Sequence, residues 1–231
     1  GQCKVNVSES NSIPCTKMEK LRLSVSQLSH NIRLACQLFP VSDLHISLEN
    51  PDMRMSWRAI RDDEYIVFDV DIVPEQPDSG FGVAIDLGTT HIRLTVWDLR
   101  KRKRIAGRTG LNPQSIYGTD ILMRLTEAVR SPEEAHKISN LVQTGIAEAL
   151  SDIALQTPFE LSDVTKVFIV GNTAMLSLLA EQNFAQLLIP ENWTLPLNCQ
   201  PDDTTFLRNV WHIHPQTSIQ FVAPLGGFIG S

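Results

Sequence analysis

The chain has 231 residues, a formal net charge of -6 and a sequence pI of about 5.5, so its composition does not favour binding to nucleic acid. No apolar run reaches the roughly 18 residues that a membrane-spanning helix needs. At about 100–200 residues per domain, the length predicts one or two domains.

The four cysteines are scattered, at positions 3, 15, 36 and 199. An even number would allow two disulfides in a secreted protein, but the polar start Gly1-Gln2 shows no signal peptide. We therefore expect a cytoplasmic protein with reduced or metal-bound thiols. Because the first residue is not Met, we also expect a fragment or truncated member of a longer protein.

Residues 1–50 have the pattern of a small unit of their own. Residues 3–7 alternate like a strand, and residues 8–16 are polar and predict a loop. Apolar residues at helical spacing predict a short helix around 24–30, and residues 43–48 alternate as a final strand.

Residues 51–80 are predicted to be a linker, with the domain boundary at the Pro-containing segment 74–80. Within this region, residues 64–73 are strongly strand-like. Residues 81–231 then form the second predicted domain.

A β-hairpin opens the second domain. An apolar run, Gly82 to Leu87, and a second one, Ile92 to Trp97, surround a Gly-centred turn. Gly88 has no Cβ, so the main chain can approach an anion closely, and Thr89 and Thr90 add two hydroxyls. The Asp86 carboxylate would repel a bare phosphate, but it suits a hydrated Mg²⁺ placed between them. An ordinary surface hairpin is the alternative interpretation.

The rest of the second domain alternates between strands and helices. The patterns predict a third strand at 104–109, a polar loop at 111–120, helices at 121–129, 131–155 and 174–181, strands at 166–170 and 220–224, and an irregular Pro-rich segment at 190–218. The basic run 100–104 is predicted to be a solvated turn, with a docking patch for an acidic partner as the alternative.

Two further segments supply candidate site residues. The loop at 111–120 is rich in side-chain donors and acceptors, which makes Asn112, Gln114 and Asp120 candidates. Gly171 and Asn172 lie between a strand and the start of a helix, where ligands of α/β sheets commonly bind.

The hairpin FGVAIDLGTTHIRLTVWDL resembles the first phosphate loop of the ASKHA superfamily, which includes acetate and sugar kinases, large heat-shock chaperones and actin. That resemblance implies phosphate and Mg²⁺ contacts for Asp86, Gly88, Thr89 and Thr90.

The segments GQCKV and LSVSQLSHNIRLACQ resemble the C-terminal part of a plant-type [2Fe–2S] ferredoxin. The resemblance implies that Cys3 and Cys36 are the third and fourth cluster ligands. The first two ligands would lie before Gly1, so a cluster forms only if upstream cysteines exist. Cys15 and Cys199 do not match the pattern.

Together with these segments, LNPQ-x₂-YG-x-D, VGNTAM and APLGGFIG resemble the ATP-dependent reductive activators of corrinoid proteins. The family implies an α/β fold with an α+β N-terminal part. A ferredoxin-like β-grasp remnant would be followed by the first subdomain of an actin-like (ribonuclease H-like) ASKHA fold.

The implied activity is ATP-dependent reduction of Co(II) to Co(I) in the corrinoid protein of a methyltransferase system. The implied cofactors are a [2Fe–2S] cluster and Mg-ATP, and the implied partners are the corrinoid protein and an electron donor. A homodimer is compatible with this activity. The implied roles are catalytic for Asp86 and Asp120, cofactor-binding for Gly88, Thr89, Thr90, Asn112, Gln114, Gly171 and Asn172, and metal-binding for Cys3, Cys36 and Asp86.

The family continues beyond GGFIG into a second ASKHA subdomain, so we expect the activity to be incomplete in this chain alone. Two alternatives remain open. One is a sugar or acid kinase of the ASKHA type, and the other is a non-catalytic docking module that contains a degenerate ferredoxin half.

Overall fold

The computed structural model describes residues 4–8, 13–40, 43–47, 57–61 and 79–224. The chain divides into two compact units, Gly1–Arg54 and Met55–Ser231. Three predicted features lie outside the described residues, and they are Cys3, the strand-like segment 64–73 and the closing segment 225–231.

The first unit is a three-stranded antiparallel sheet with two short helices. Its elements are β1 (Lys4–Val7), α1 (Lys17–Arg22), α2 (Val25–Ser29), β2 (Ile32–Leu34) and β3 (Ile46–Ser47), with β1 in the centre of the sheet. The predicted helix around 24–30 and the first strand are confirmed, whereas α1 was not predicted. Both helices begin with capping boxes, in which Thr16 pairs with Glu19 and Ser24 with Gln27.

A buried ion pair holds the first unit together. Arg33 donates through Nε and Nη2 to the two carboxylate oxygens of Glu19, each at 2.8 Å, and both side chains are almost fully buried. Glu19 also accepts hydrogen bonds from the backbone of Thr16 and Leu34. Burial by itself would raise the pKa of the Glu19 carboxyl, but these hydrogen bonds outweigh it and lower the pKa to about 2.

The second unit is a six-stranded sheet in the order β4-β7-β6-β5-β8-β9. The strands are β4 (Arg58–Ala59), β5 (Phe81–Leu87), β6 (His91–Asp98), β7 (Lys103–Leu111), β8 (Val164–Gly171) and β9 (Ser218–Phe221), and the helices are α3 (Ile121–Ala128), α4 (Pro132–Gln156), α5 (Thr173–Ala180) and α6 (Thr205–Trp211). β5, β6 and β7 form the predicted antiparallel meander, while β8 and β9 run parallel to β5.

Helix α4 packs on one face of this sheet. It begins after the N-cap Ser131, whose hydroxyl accepts from the Glu134 amide, with Pro132 at its first position. Ile138, Val142 and Ile146 are fully buried along one stripe of the helix. Strand β5 alternates between buried residues, such as Ile85 and Leu87, and exposed ones, so only one of its faces joins this core.

Two segments differ from the sequence prediction. The segment 190–218 is not wholly irregular, because it contains α6, whose fully buried Trp211 donates its indole N–H to the Gln143 carbonyl at 3.1 Å. The predicted linker contains β4, in which Arg58 and Ala59 pair with β7. A two-residue edge strand has no periodicity that a sequence pattern could reveal.

Candidate functional site

The turn between β5 and β6 is closed by its own backbone. The Gly88 N–H donates to the His91 carbonyl at 3.0 Å. A Cβ on Gly88 would lie only 2.5 Å from that carbonyl oxygen, so no larger residue fits without moving the main chain. The glycine is therefore required by the turn itself, while close approach of an anion stays a prediction.

Asn112, which directly follows β7, supports this turn. Its amide Nδ2 donates to the Gly88 carbonyl at 2.9 Å, and its backbone N–H donates to the Thr90 carbonyl at 2.8 Å. Asn112 is fully buried, and its Oδ1 accepts from the Gln114 backbone amide. Thus Asn112 holds the turn, and its side chain is not exposed to contact a ligand.

The junction between β8 and α5 meets the same turn. The Asn172 amide donates to the Thr89 hydroxyl at 2.9 Å, while its Oδ1 caps α5 by accepting from the Met175 backbone amide. A Cβ on Gly171 would lie 2.8 Å from the Leu87 carbonyl oxygen, so Gly171 allows β8 to approach β5 closely. Because Asn172 donates to the Thr89 oxygen, the Thr89 hydroxyl proton can still point toward a ligand.

Asp86 lies on the exposed face of β5, between the buried residues Ile85 and Leu87. In the strand register it is opposite Arg93 on β6 and Val170 on β8. A groove of about 500 Å³ runs over this face, and its lining includes Asp86, Arg93, Thr95, Thr109, Phe168 and Val170. The carboxylate is thus accessible at the end of the strand that leads into the Gly88 turn.

Gln114 and Asp120 have other contacts. Gln114 is fully buried, and its amide donates to the Ile138 carbonyl at 2.9 Å, which links the loop to α4. Asp120 caps α3 by accepting from the Leu122 amide at 3.1 Å. The structure therefore brings Gly88, Thr89, Thr90, Asn112, Gly171 and Asn172 together, but gives Gln114 a structural position. Their roles toward a ligand stay predictions.

Met175 was missed as part of this arrangement. Its side chain is fully buried, and its sulfur accepts from Asn112 Nδ2 at 3.4 Å and from Arg124 Nη1 at 3.7 Å. The motif VGNTAM contains this residue, but nothing in the motif indicates a sulfur that joins two distant segments.

The cysteines that the structure describes do not form a metal centre. Cys36 is exposed and Cys15 half-buried, whereas Cys199 is buried in the second unit beside Ser177. Burial raises the pKa of the Cys199 thiol, which disfavours a thiolate there. Across the described ranges, no group of three or more His, Cys, Asp or Glu residues could hold a metal ion.

None of the helices in the described part of the chain has the length and apolar character required to cross a bilayer.

The chain is similar to known proteins in both sequence and fold. The corrinoid activation enzyme RamQ of Eubacterium limosum is 26% identical over 167 residues, covering 70% of this chain and 27% of that protein. A solved reductive activator for corrinoid, iron-sulfur protein has a TM-score of 0.55 at 16% identity, covering 99% of this chain and 49% of that one, so it shows a similar mixed α/β fold. The chain therefore spans about half or less of the length of these relatives.

A family model described as the RACo middle region matches residues 81–231. These residues include the whole hairpin, the loop after β7 and the junction between β8 and α5. On this match, the chain belongs to the RACo middle region family.

Proposed function

We propose that the chain is part of an ATP-dependent reductive activator of corrinoid proteins, in which the turn Gly88–Thr90 binds nucleotide phosphate. The observation that supports this best is that two distant segments, the loop after β7 and the junction between β8 and α5, converge on one short turn. Asn112 holds the Gly88 carbonyl from one side, and Asn172 holds the Thr89 hydroxyl from the other. A turn held from two sides is preorganised, so a ligand does not have to order it.

The donor set around the turn fits a phosphate with Mg²⁺. The Thr89 and Thr90 hydroxyls can donate to phosphate oxygens, and the start of α5 after Asn172 adds the positive end of a helix dipole. Asp86 is accessible and would hold a hydrated Mg²⁺, which neutralises phosphate charge when bound. In this proposal the second unit is the first subdomain of an ASKHA fold, a placement that its meander and its two parallel strands support.

The nucleotide would act through its difference in affinity for two states of the activator. A ligand shifts such an equilibrium only by that difference. The turn provides one wall of a cleft, and the remaining length of the related activators would provide the other. The coupled reaction is the one-electron reduction of Co(II) to Co(I) in the corrinoid protein of a methyltransferase system, in the cytoplasm.

Removing the Asp86 charge tests the Mg²⁺ site. We expect Asp86→Asn to weaken Mg-ATP binding by about tenfold or more, because a contact to a charged group contributes roughly 1.5–3 kcal/mol. Binding of ATP in EDTA should stay the same or become stronger, because without Mg²⁺ the Asp86 carboxylate only repels phosphate. Isothermal titration calorimetry with and without Mg²⁺ measures both. The matched control is Asp98→Asn. Asp98 is the last residue of β6, far from the Gly88 turn, and its carboxylate accepts a hydrogen bond from the Lys101 amide. Equal Mg²⁺ dependence in Asp86→Asn and the wild type would contradict the assignment.

The electron-transfer part of the proposal rests on Cys36. The described cysteines do not supply a complete ligand set, so a cluster requires Cys3 and two further thiolates that the ferredoxin resemblance places before Gly1. We expect the protein with its native upstream sequence to bind iron and sulfide with a [2Fe–2S] absorption and EPR signature, and Cys36→Ser to lose it. Cys15→Ser is the matched control and should keep the signature. A cluster that survives Cys36→Ser would refute the ligand assignment.

A further inference from the structure

Arg124 is a buried cation that has no carboxylate partner in the described part of the chain. Its side chain is only 1% exposed, and it donates from Nε to the Gly118 carbonyl at 3.0 Å and from Nη1 to the Met175 sulfur at 3.7 Å. Among the residues that the structure describes, the two other buried arginines are Arg33 and Arg108, and they contact the carboxylates of Glu19 and Asp152 respectively.

This difference is a physical anomaly. An arginine stays protonated in proteins, and burying a charge without a counterion is costly. Asp120 acts on Arg124 electrostatically, but the Asp120 residue is exposed and its carboxylate caps α3. Burial lowers the pKa of Arg124, which also indicates poor compensation of its charge. An uncompensated buried cation makes the electrostatic potential around it more positive, which favours the binding of an anion nearby.

The contacts of Arg124 lead to the candidate phosphate turn. Its Nη1 contacts the Met175 sulfur, and Asn112 contacts the same sulfur while donating to the Gly88 carbonyl. The Met175 backbone amide in turn donates to Asn172, which holds Thr89. Met175 therefore connects Arg124 to both asparagines that hold the turn.

We propose that Arg124 is a positioning residue of the phosphate site: its charge favours a polyphosphate anion at Gly88–Thr90, and its contact with Met175 keeps Asn112 and Asn172 in place. The inference rests on the proposed phosphate role of this turn. It adds a group that does not touch the ligand and lies outside the hairpin.

The test separates charge from structure. Arg124→Gln keeps a donor for the Gly118 carbonyl but removes the charge, whereas Arg124→Lys keeps the charge. Arg108→Gln is the matched control, because it removes a buried guanidinium whose partner is Asp152. Dissociation constants for magnesium tripolyphosphate and for orthophosphate are measured by calorimetry or ³¹P NMR, after thermal denaturation has verified folding. Arg124→Met replaces the Gln variant if that variant does not fold.

We expect Arg124→Gln to weaken tripolyphosphate binding by about tenfold and orthophosphate binding by less, because the effect of a cation scales with the charge of the anion. Arg124→Lys should stay within about threefold of the wild type, and Arg108→Gln should bind normally. Two outcomes would overturn the inference while leaving the proposed phosphate site in place. One is wild-type affinity in Arg124→Gln, and the other is an equal loss of affinity for both anions that Arg124→Lys does not restore. If the wild type binds neither anion, the proposed phosphate site fails and the inference fails with it.

Discussion

Arg33→Met is expected to destabilise the first unit by about 3–5 kcal/mol, which is a large part of the stability of a small domain. The substitution leaves the fully buried Glu19 carboxylate without its cation. It also removes the donors to the carbonyls of Ile13 and Pro14, which the guanidinium holds at 2.9 and 3.2 Å. The loss therefore affects the loop before α1, the helix itself and β2 together.

Hydrogen exchange measures this loss locally. All four tryptophans lie outside residues 1–54, so fluorescence would report on the second unit. Peptides from residues 13–40 should lose protection in Arg33→Met, while peptides from α4 keep it.

The surface pair of Arg130 and Glu127 provides a control, because Arg130→Met should cost less than about 1 kcal/mol. The double variant Glu19→Leu with Arg33→Met should recover much of the loss, since no unpaired charge remains. Unchanged protection in Arg33→Met would show that the pair does not stabilise the unit.

The same pair predicts a pH dependence. The pKa of Glu19 is lowered from 4.5 to about 2, so the folded protein favours the carboxylate over the protonated acid. Its contribution to stability is complete above pH 4.5 and is lost as the pH falls through about 2. Exchange in residues 13–40 should accelerate in this window, and Glu19→Gln should flatten the dependence.

Gly88→Ala is expected to open the candidate phosphate turn. The added Cβ would lie 2.5 Å from the His91 carbonyl oxygen, which is backbone and cannot rotate away. Movement of this carbonyl breaks the hydrogen bond from Gly88 N–H and displaces the Gly88 carbonyl from Asn112. We expect a loss of about 1–3 kcal/mol in the second unit and the loss of detectable polyphosphate binding.

Gly107→Ala is the matched control in the same sheet. A Cβ there would lie 3.2 Å from Ile60 Cδ1 and from the Leu94 carbonyl oxygen, so small movements can accommodate it. Denaturant unfolding followed by tryptophan fluorescence compares the two variants, and calorimetry compares their ligand binding. If Gly88→Ala binds polyphosphate like the wild type, the geometry of the turn is not what binds the anion.

Much of the second unit was predictable because its signals are local. The meander of β5, β6 and β7 follows from apolar runs around Gly and polar turns, and α4 follows from Ser131, Pro132 and its long amphipathic stripe. By contrast, α1 and α6 were missed because their patterns are short and have polar or Pro-rich flanks. The burial of Trp211 against α4 stabilises α6, and no local signal reports that contact.

The candidate site was only partly predictable for the same reason. Gly88, Thr89, Gly171 and Asn172 could be singled out, because strand–turn motifs identify positions that a backbone can present to a ligand. The contacts of Gln114 with Ile138 and of Asp120 with Leu122 could not be predicted. A polar residue in a loop has the same sequence pattern whether it binds a ligand, caps a helix or is buried in the core.

The sequence by itself determined the hairpin, the long helix α4, the strand–helix junction at Gly171 and the family resemblance, because each depends on residues that are close along the chain. Only the tertiary structure decided that β4 joins the sheet and that Asn112 and Asn172 hold one turn from opposite sides. It also decided that Arg124 is buried with no carboxylate among its hydrogen-bond partners in the described ranges. Those features depend on which distant segments pack together, and side-chain packing and burial, not local periodicity, determine that choice.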